Sequence, residues 1–186
     1  MGGSTISEAD DETLAARAQR GDDAAFAALV RRYEQPLYAY AHRMLHNAAD
    51  AEDVFQETFL RVHRRFLQFD STRLFKPWLY RIATNVCRDR QRSWWRQPTV
   101  ALTELPMAPV DPGPGPDAVA IMGETQKRLE QAVARLPDKQ RAVFLLARYE
   151  DMPYDQIAVA LGIPVGTVKS RMNKAVTFLR ERMRIR

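Results

Sequence analysis

The chain has 186 residues, of which 46% are hydrophobic and 27% charged; this length suits one ordinary domain or two small ones, and the composition excludes a wholly disordered chain. Its net charge of +5 favours a polyanionic partner such as nucleic acid. No apolar run approaches the roughly 18 residues of a membrane span, and Cys87 is the only cysteine, so we expect a cytoplasmic protein with no intramolecular disulfide and no direct membrane insertion.

Helical spacing of apolar residues characterises the first half of the chain. From Asp11 to Arg96, apolar residues recur every three or four positions, as on helices that bury one face. Pro36 interrupts this pattern, and we expect it to kink the helix or divide it in two, because proline removes a helix hydrogen bond and clashes with the preceding turn. Further helices are predicted over 50–66 and 77–92, and no alternating strand pattern is present.

Proline and glycine mark a linker between two helical regions. Residues 98–123 hold six of the eleven prolines and no lysine or arginine, which is typical of a flexible, semi-extended and net acidic segment. Helical patterns return over 124–135, 138–149, 153–161 and 165–184. The sequence therefore predicts an all-α protein with a tail at 1–10, a helical domain at 11–97, a linker at 98–123 and a second helical domain at 124–186.

An acidic helix face is the first candidate binding surface along the chain. Asp50, Asp53 and Glu57 fall on one side of the helix predicted over 50–66, with Gln56 beside them. Asp50 can cap this helix and Asp53 can favour its positive N-terminal end, which is a purely structural explanation. Gln56 and Glu57 lie too far from that end for the same explanation. Apolar contacts on this helix are expected from Val54, Phe55, Thr58, Phe59 and Val62.

The helix predicted over 77–92 has an apolar face and a basic face. The basic face carries Arg81, Asn85, Arg88 and Arg92 at intervals of three and four residues, so it can follow a phosphate backbone. Asn85 is an amide among guanidiniums, and an amide can make paired hydrogen bonds with a base edge; the alternative is an exposed residue with no function. Nearby aromatics can stack unpaired bases, although we expect most of them in the core: Phe69, Phe75, Trp78, Tyr80, Trp94 and Trp95.

The most specific motif lies in the second domain, where a short helix pattern from Tyr154 is followed by a turn at Gly162 and a longer helix from Val165. This arrangement is typical of a helix-turn-helix, and Gly162 suits a left-handed turn. The exposed face of the second helix carries donors that can reach base edges or phosphates in the major groove, whereas a basic surface helix without DNA contacts is the alternative. This face carries Lys169, Ser170, Asn173, Lys174 and Thr177, and Thr167 and Arg171 beside it could hold phosphates.

His42 and His46, four residues apart and followed by acids, suggest at first a metal site or an enzyme. The first histidine is not followed by the glutamate of a zinc-peptidase motif, and the chain has neither a nucleophile elbow nor a phosphate-binding loop. Both histidines also lie among residues expected in the core. We therefore predict no catalytic residues, no metal and no cofactor.

Three segments, taken in order, resemble the extracytoplasmic-function (ECF) class of sigma factors, group 4 of the sigma-70 family. Residues 51–60 (AEDVFQETFL) resemble the family's polymerase-docking helix, residues 78–85 (WLYRIATN) its minus-ten promoter helix, and residues 166–171 (GTVKSR) its minus-thirty-five reading helix. The likeness extends from about Asp11 to Met183. A helix-turn-helix alone is common, but these three segments in this order are not.

The resemblance implies a non-enzymatic subunit that carries core RNA polymerase to promoters with minus-ten and minus-thirty-five elements and helps open the DNA. It implies three partners: core polymerase, promoter DNA and an anti-sigma factor, free or membrane-bound. The clamp helices of the largest polymerase subunit would be contacted by Asp53, Gln56 and Glu57. The minus-ten element, including a base flipped from the non-template strand, would be bound by Gln68, Phe69, Asp70, Ser71, Thr72, Arg73, Lys76, Arg81, Asn85 and Arg88. The minus-thirty-five element would be bound by Thr167, Lys169, Ser170, Arg171, Asn173 and Lys174, and the linker would occupy the RNA exit channel.

Two positions depart from the family pattern. Residues 70–73 (DSTR) are this chain's own version of the variable specificity loop, which leaves the preferred base open. Pro153 stands where the family often has a capping serine, so the following helix can start one residue away. The alternative interpretation of the whole chain is a two-domain DNA-binding regulator whose N-terminal domain senses a ligand or dimerises.

Overall fold

The computed structural model describes the backbone of residues 9–96 and 118–183, and the side chains of residues 9–93 and 124–183. Residues 1–8 of the predicted tail and 98–117 of the predicted linker lie outside the described residues, as do the side chains of Trp94 and Trp95. All regular structure within the described ranges is helical, which confirms the all-α prediction. The helices are α1 (Asp11–Gln19), α2 (Asp23–Leu45), α3 (Ala48–Arg65), α4 (Phe75–Arg96), α5 (Ala118–Ala134), α6 (Asp138–Arg148), α7 (Tyr154–Leu161) and α8 (Val165–Met183), with a short 3-10 helix at Phe66–Gln68.

Two helix limits in the structure differ from those expected from the sequence. Of the two alternatives predicted for Pro36, division of the helix does not occur, because α2 continues through the proline from Asp23 to Leu45. Tyr33 and Leu37, on either side of the proline, are both buried, and this packing offsets the roughly 3 kcal/mol that an interior proline costs. The linker was predicted to reach Gly123, but α5 already begins at Ala118, because the residues before Gly123 are apolar and mostly good helix formers.

The first helical unit, α1–α4, closes around an aromatic core. The rings of Phe66, Phe69, Phe75 and Trp78 lie within one cluster, with the Phe69 and Trp78 centroids 4.8 Å apart. These four residues flank or begin the connection from α3 to α4, so the core fixes where that connection runs. Cys87 is buried in this unit, and burial raises the pKa of its thiol to about 12.

The second helical unit contains the predicted helix-turn-helix. Ile157 and Leu161 of α7 are buried together with Val168 and Ala175 of α8. Gly162 ends α7 with a φ of 64°, the left-handed conformation that glycine adopts without strain. The turn therefore sets α8 against α7 and leaves the other face of α8 in solvent.

The two units pack against each other, with α7 lying on α4 and α6 on α2. Arg141 is buried and donates a 2.8 Å hydrogen bond to the carbonyl oxygen of Met44 at the end of α2. Lys76 donates a 2.7 Å hydrogen bond to the carbonyl oxygen of Glu150, and the guanidinium of Arg43 lies 4.2 Å from the centroid of the Tyr149 ring. Hydrogen bonds and a cation–π contact thus join the two units.

Candidate nucleic-acid interface

The acidic face of α3 is tied to α4 by one arginine. Capping by Asp50 was the structural alternative to a binding role, but the cap is Asn47, whose side-chain oxygen accepts a 3.0 Å hydrogen bond from the Asp50 amide. The Asp50 carboxylate is buried instead and lies 2.5 Å from Arg90, which also contacts Asp53 at 2.6 Å. The two acids therefore position α4 beside α3, while Asp53 stays 58% exposed at the side chain.

The three predicted docking residues share the exposed ridge of α3. Gln56 is exposed, and the Glu57 side chain is 37% exposed although it forms a 2.7 Å ion pair with Arg61. Leu60, a residue that the sequence analysis did not select, is 51% exposed one turn further along. The apolar contacts predicted for this helix are largely unavailable to a partner, since these side chains lie in the core: Val54, Thr58, Phe59 and Val62.

The connection between α3 and α4 is ordered by its own side chains. Asp70 accepts hydrogen bonds from the hydroxyl of Thr72 at 2.6 Å, the amide of Thr72 at 3.1 Å and the guanidinium of Arg73 at 3.1 Å. The Thr72 hydrogen bonds, with a smaller contribution from Arg73, lower the pKa of Asp70. The side-chain amide of Gln19 in α1 also holds the loop, because it donates hydrogen bonds to the carbonyl oxygens of Phe66 and Phe69.

This loop exposes most of the residues predicted to bind the minus-ten element. Gln68, Asp70, Ser71, Thr72 and Arg73 are all exposed. Phe69 was predicted among the DNA contacts, but its side chain is 5% exposed. The ring belongs to the aromatic core and supports the loop, so its predicted role as a base contact is corrected to a structural one.

The basic face of α4 divides into two parts. Lys76 and Arg81 both lie beside the second helical unit. Lys76 forms a 3.3 Å ion pair with Glu150. The Arg81 guanidinium lies next to Gly162, since a Cβ atom added to this glycine would be 3.9 Å from it. Asn85 and Arg88 lie further along the helix and are exposed and half-buried, respectively. Asn85 lines a cavity of about 340 Å³ with Ile82, Arg88, Asp89 and Arg92 of α4 and with Arg61 and Arg65 of α3.

The exposed face of α8 matches the residues predicted to read DNA. Lys169, Ser170, Asn173 and Lys174 are exposed, and the candidate phosphate contacts Thr167 and Arg171 are half-buried. Because α7 covers the opposite face, these side chains form a surface that can enter a major groove.

The two histidines lie in the last turn and at the end of α2. His46 ends the helix with a φ of 56°, and burial together with the Arg141 charge lowers the pKa of its imidazole to about 4. His42 stacks on the Tyr38 ring. Among the side chains at 9–93 and 124–183, no three His, Cys, Asp or Glu residues are grouped as metal ligands. None of the helices described is long and apolar enough to cross a membrane.

Both helical units match models of a known family. The family described as sigma-70 region 2 matches residues 29–97, and that described as sigma-70 region 4 matches residues 126–179. The ECF RNA polymerase sigma factor SigW of Bacillus subtilis is 38% identical over 173 residues, which are 89% of this chain and 92% of SigW. The chain belongs to the ECF RNA polymerase sigma factors.

Solved structures of related proteins have the same fold. CnrH, solved in complex with the cytosolic domain of CnrY, has a TM-score of 0.70 at 28% identity, covering 92% of this chain and 95% of CnrH. The sigma factor RpoE of Bartonella quintana, solved with the anti-sigma factor NepR, has a TM-score of 0.62 at 21% identity, covering 82% and 94%. The match of residues 29–97 to region 2 favours a sigma factor over a regulator with a sensor domain.

Proposed function

We propose that this chain is a promoter-specificity subunit that acts in the cytoplasm by binding alone. Asp53, Gln56 and Glu57 dock on the clamp helices of core polymerase, residues 68–76 with α4 bind the minus-ten element, and α8 binds the minus-thirty-five element. The observation that carries the proposal is that one domain presents two adjacent surfaces of different character: exposed acids at Asp53 and Glu57 on α3, and a cluster of four arginines beside α4. An acidic ridge repels DNA and suits a protein partner, whereas the arginines suit phosphates.

Opening of the promoter requires no chemistry from this chain. DNA duplex contacts through lysine and arginine supply binding energy, and trapping a flipped base offsets the few kcal/mol of unstacking and unpairing. The exposed loop and Asn85 provide the groups that would contact unpaired bases. We assign no catalytic residue and no cofactor.

A protein inhibitor is a further part of the proposal. CnrH and RpoE, which have this fold, were each solved with a second protein bound. We expect this chain to bind an anti-sigma factor, free or membrane-bound, that competes with core polymerase for the same two domains.

Copurification separates the proposal from the two-domain regulator. Purified chain mixed with bacterial core RNA polymerase should elute with the polymerase in gel filtration at micromolar concentrations. A regulator that binds DNA through its helix-turn-helix alone would elute separately, and that result would reject the docking assignment.

The packed arrangement of the two domains must open when both promoter elements are bound. Elements named for positions minus ten and minus thirty-five lie about 25 base pairs apart, or roughly 85 Å along B-DNA at 3.4 Å per base pair. In this structure α7 of the second domain lies on α4 of the first. Lys76 and Arg81, both proposed DNA contacts, face that junction.

We expect fluorescence energy transfer between dyes on the two domains to be high in the free protein and lost in the promoter complex. Dyes on cysteines introduced at Arg31 and Arg180, both exposed, would report the distance between the domains. The native Cys87 is buried and reacts slowly, so it would not take up dye.

Replacing Arg43 by Ala removes the contact with Tyr149 and should raise the open fraction of free protein about two- to fivefold. Unchanged transfer in the promoter complex would contradict domain separation.

A further inference from the structure

A buried carboxylate of the second domain lies against α4 of the first. Glu150 lies between α6 and α7, and its side chain is only 7% exposed. The carboxylate lies 3.3 Å from the ammonium group of Lys76 in the first turn of α4, and the backbone carbonyl oxygen of Glu150 accepts a 2.7 Å hydrogen bond from the same ammonium group. The packing of the two domains therefore places a negative charge on a proposed DNA contact.

The ion pair between Glu150 and Lys76 is shielded from water by an aromatic side chain. The ammonium group of Lys76 lies 5.9 Å from the centroid of the Tyr80 ring, which is fully buried. Burial, with a further contribution from the nearby Glu150 charge, raises the pKa of the Tyr80 hydroxyl. An ion pair in such surroundings is stronger than one on the surface, because water screens it less. Lys76 thus has a strong alternative partner to a DNA phosphate.

The turn that carries Glu150 is closed by backbone hydrogen bonds on both sides. The Tyr149 amide donates to the carbonyl oxygen of Leu145 at 2.9 Å, and the Met152 amide donates to that of Leu146 at 3.0 Å. Between them, Asp151 has a φ of 48°, a left-handed conformation that aspartate and asparagine tolerate better than most residues other than glycine. Glu150 is therefore presented to α4 on a defined turn.

We infer that Glu150 is an intramolecular competitor of DNA, whose carboxylate occupies the place of a promoter phosphate at Lys76 until the two domains separate. The inference rests on the proposed promoter binding by Lys76. Residues 70–73 and Asn85 stay exposed in the closed arrangement, so the competition weakens DNA binding by the free chain without abolishing it. Asp53 and Gln56 are exposed as well, so core polymerase can dock on the closed chain before the promoter binds.

Two neighbouring acids give a matched pair of variants. Glu150→Gln and Asp151→Asn each remove one negative charge, but Asp151 is exposed and asparagine keeps the left-handed turn. The probe is a labelled single strand that carries the non-template minus-ten sequence of a promoter selected with wild-type holoenzyme. Glu150→Gln should bind this strand about three- to tenfold more tightly than wild type in the absence of polymerase, because affinity rises with the open fraction of the chain. Asp151→Asn should bind like wild type.

Salt dependence distinguishes competition from a general change in charge. Salt weakens the bond between Lys76 and DNA in both proteins, but it also weakens the competing Glu150–Lys76 pair in the wild type alone. Glu150→Gln should therefore steepen the dependence of log affinity on log salt by up to about 0.7, the contribution of one phosphate of a single strand. In the Lys76→Ala background, Glu150→Gln should change neither affinity nor slope.

Energy transfer between dyes at Arg31 and Arg180 gives a second readout that needs no DNA. Lys76→Ala and Glu150→Gln break the pair from opposite sides, so each should lower transfer in the free chain, whereas Asp151→Asn should not. A merely structural role of Glu150 predicts weaker binding of the strand by Glu150→Gln. That result, equal binding by the two matched variants, or unchanged transfer with Lys76→Ala would overturn the inference, whereas failure of wild-type holoenzyme to bind any promoter would overturn the proposed function.

Discussion

Reversing the charge of Asp53 and Glu57 together should weaken binding to core polymerase at least about a hundredfold. Both carboxylates lie on the exposed ridge of α3 beside Gln56. Removing one partner of a desolvated charge pair at an interface costs roughly 2 to 5 kcal/mol, and 1.4 kcal/mol is a factor of ten in affinity. Titration of labelled chain with core enzyme measures this change.

The control for this prediction has to match both charge and exposure. Asp23 and Glu34 are exposed acids on α2 of the same domain, so the double reversal Asp23→Arg with Glu34→Arg changes the net charge equally and should leave binding unaltered. A second variant is needed because Asp53 and Glu57 form ion pairs with Arg90 and Arg61, so that charge reversal places arginines next to arginines within the domain. A milder variant, Asp53→Asn with Glu57→Gln, avoids placing arginines together and should bind polymerase with intermediate affinity. Wild-type binding by the charge-reversed ridge would contradict the docking assignment.

Asn173→Ala and Lys174→Ala should impair promoter recognition in different ways. Both side chains are exposed on α8. An amide that pairs with adenine contributes about 1 to 3 kcal/mol of discrimination, so Asn173→Ala should lose roughly five- to 150-fold preference at one position of the minus-thirty-five element. Lys174 is expected to contact phosphate, so its loss should weaken binding to all sequences and flatten the salt slope by about one unit.

A panel of single-base promoter variants, measured at two salt concentrations, separates these two effects. Ser170→Ala serves as a comparison, because Ser170 is exposed on the same face but a hydroxyl discriminates bases less than an amide does. Even loss of affinity across the panel for Asn173→Ala would remove this residue from the base-reading set. If Lys174→Ala instead changed the base preference at only one promoter position, Lys174 would count as a base-reading residue.

Local sequence patterns predicted the features that are set within a single helix or turn. The apolar stripes placed α4, α7 and α8 within a few residues of their limits, and Gly162 was recognised as the left-handed turn because only glycine adopts that conformation without strain. Once the apolar stripe identified the buried face of α8, the residues on the opposite face could be predicted to be exposed. The cap of α3 could also have been found, since Asn is among the residues preferred at a helix N-cap and Asn47 directly precedes the helical pattern.

Contacts between distant segments could not be predicted in the same way. Arg90 lies 40 positions after Asp50, and nothing in the local sequence indicates that it binds the acids of α3. Arg61 and Arg65 join the cavity with Asn85 only because α3 packs against α4. The pairing of Lys76 with Glu150 depends on the placement of two domains across a linker, which no periodicity encodes.

Transcription by core polymerase tests the central claim most directly. Core enzyme with and without this chain would transcribe sheared DNA from the source genome, and the 5′ ends of the RNAs would be sequenced. We predict new start sites that share two upstream elements about 25 base pairs apart, and their loss with the Asp53 and Glu57 double reversal. A set of start sites identical with and without the chain would contradict the claim that it is a promoter-specificity subunit.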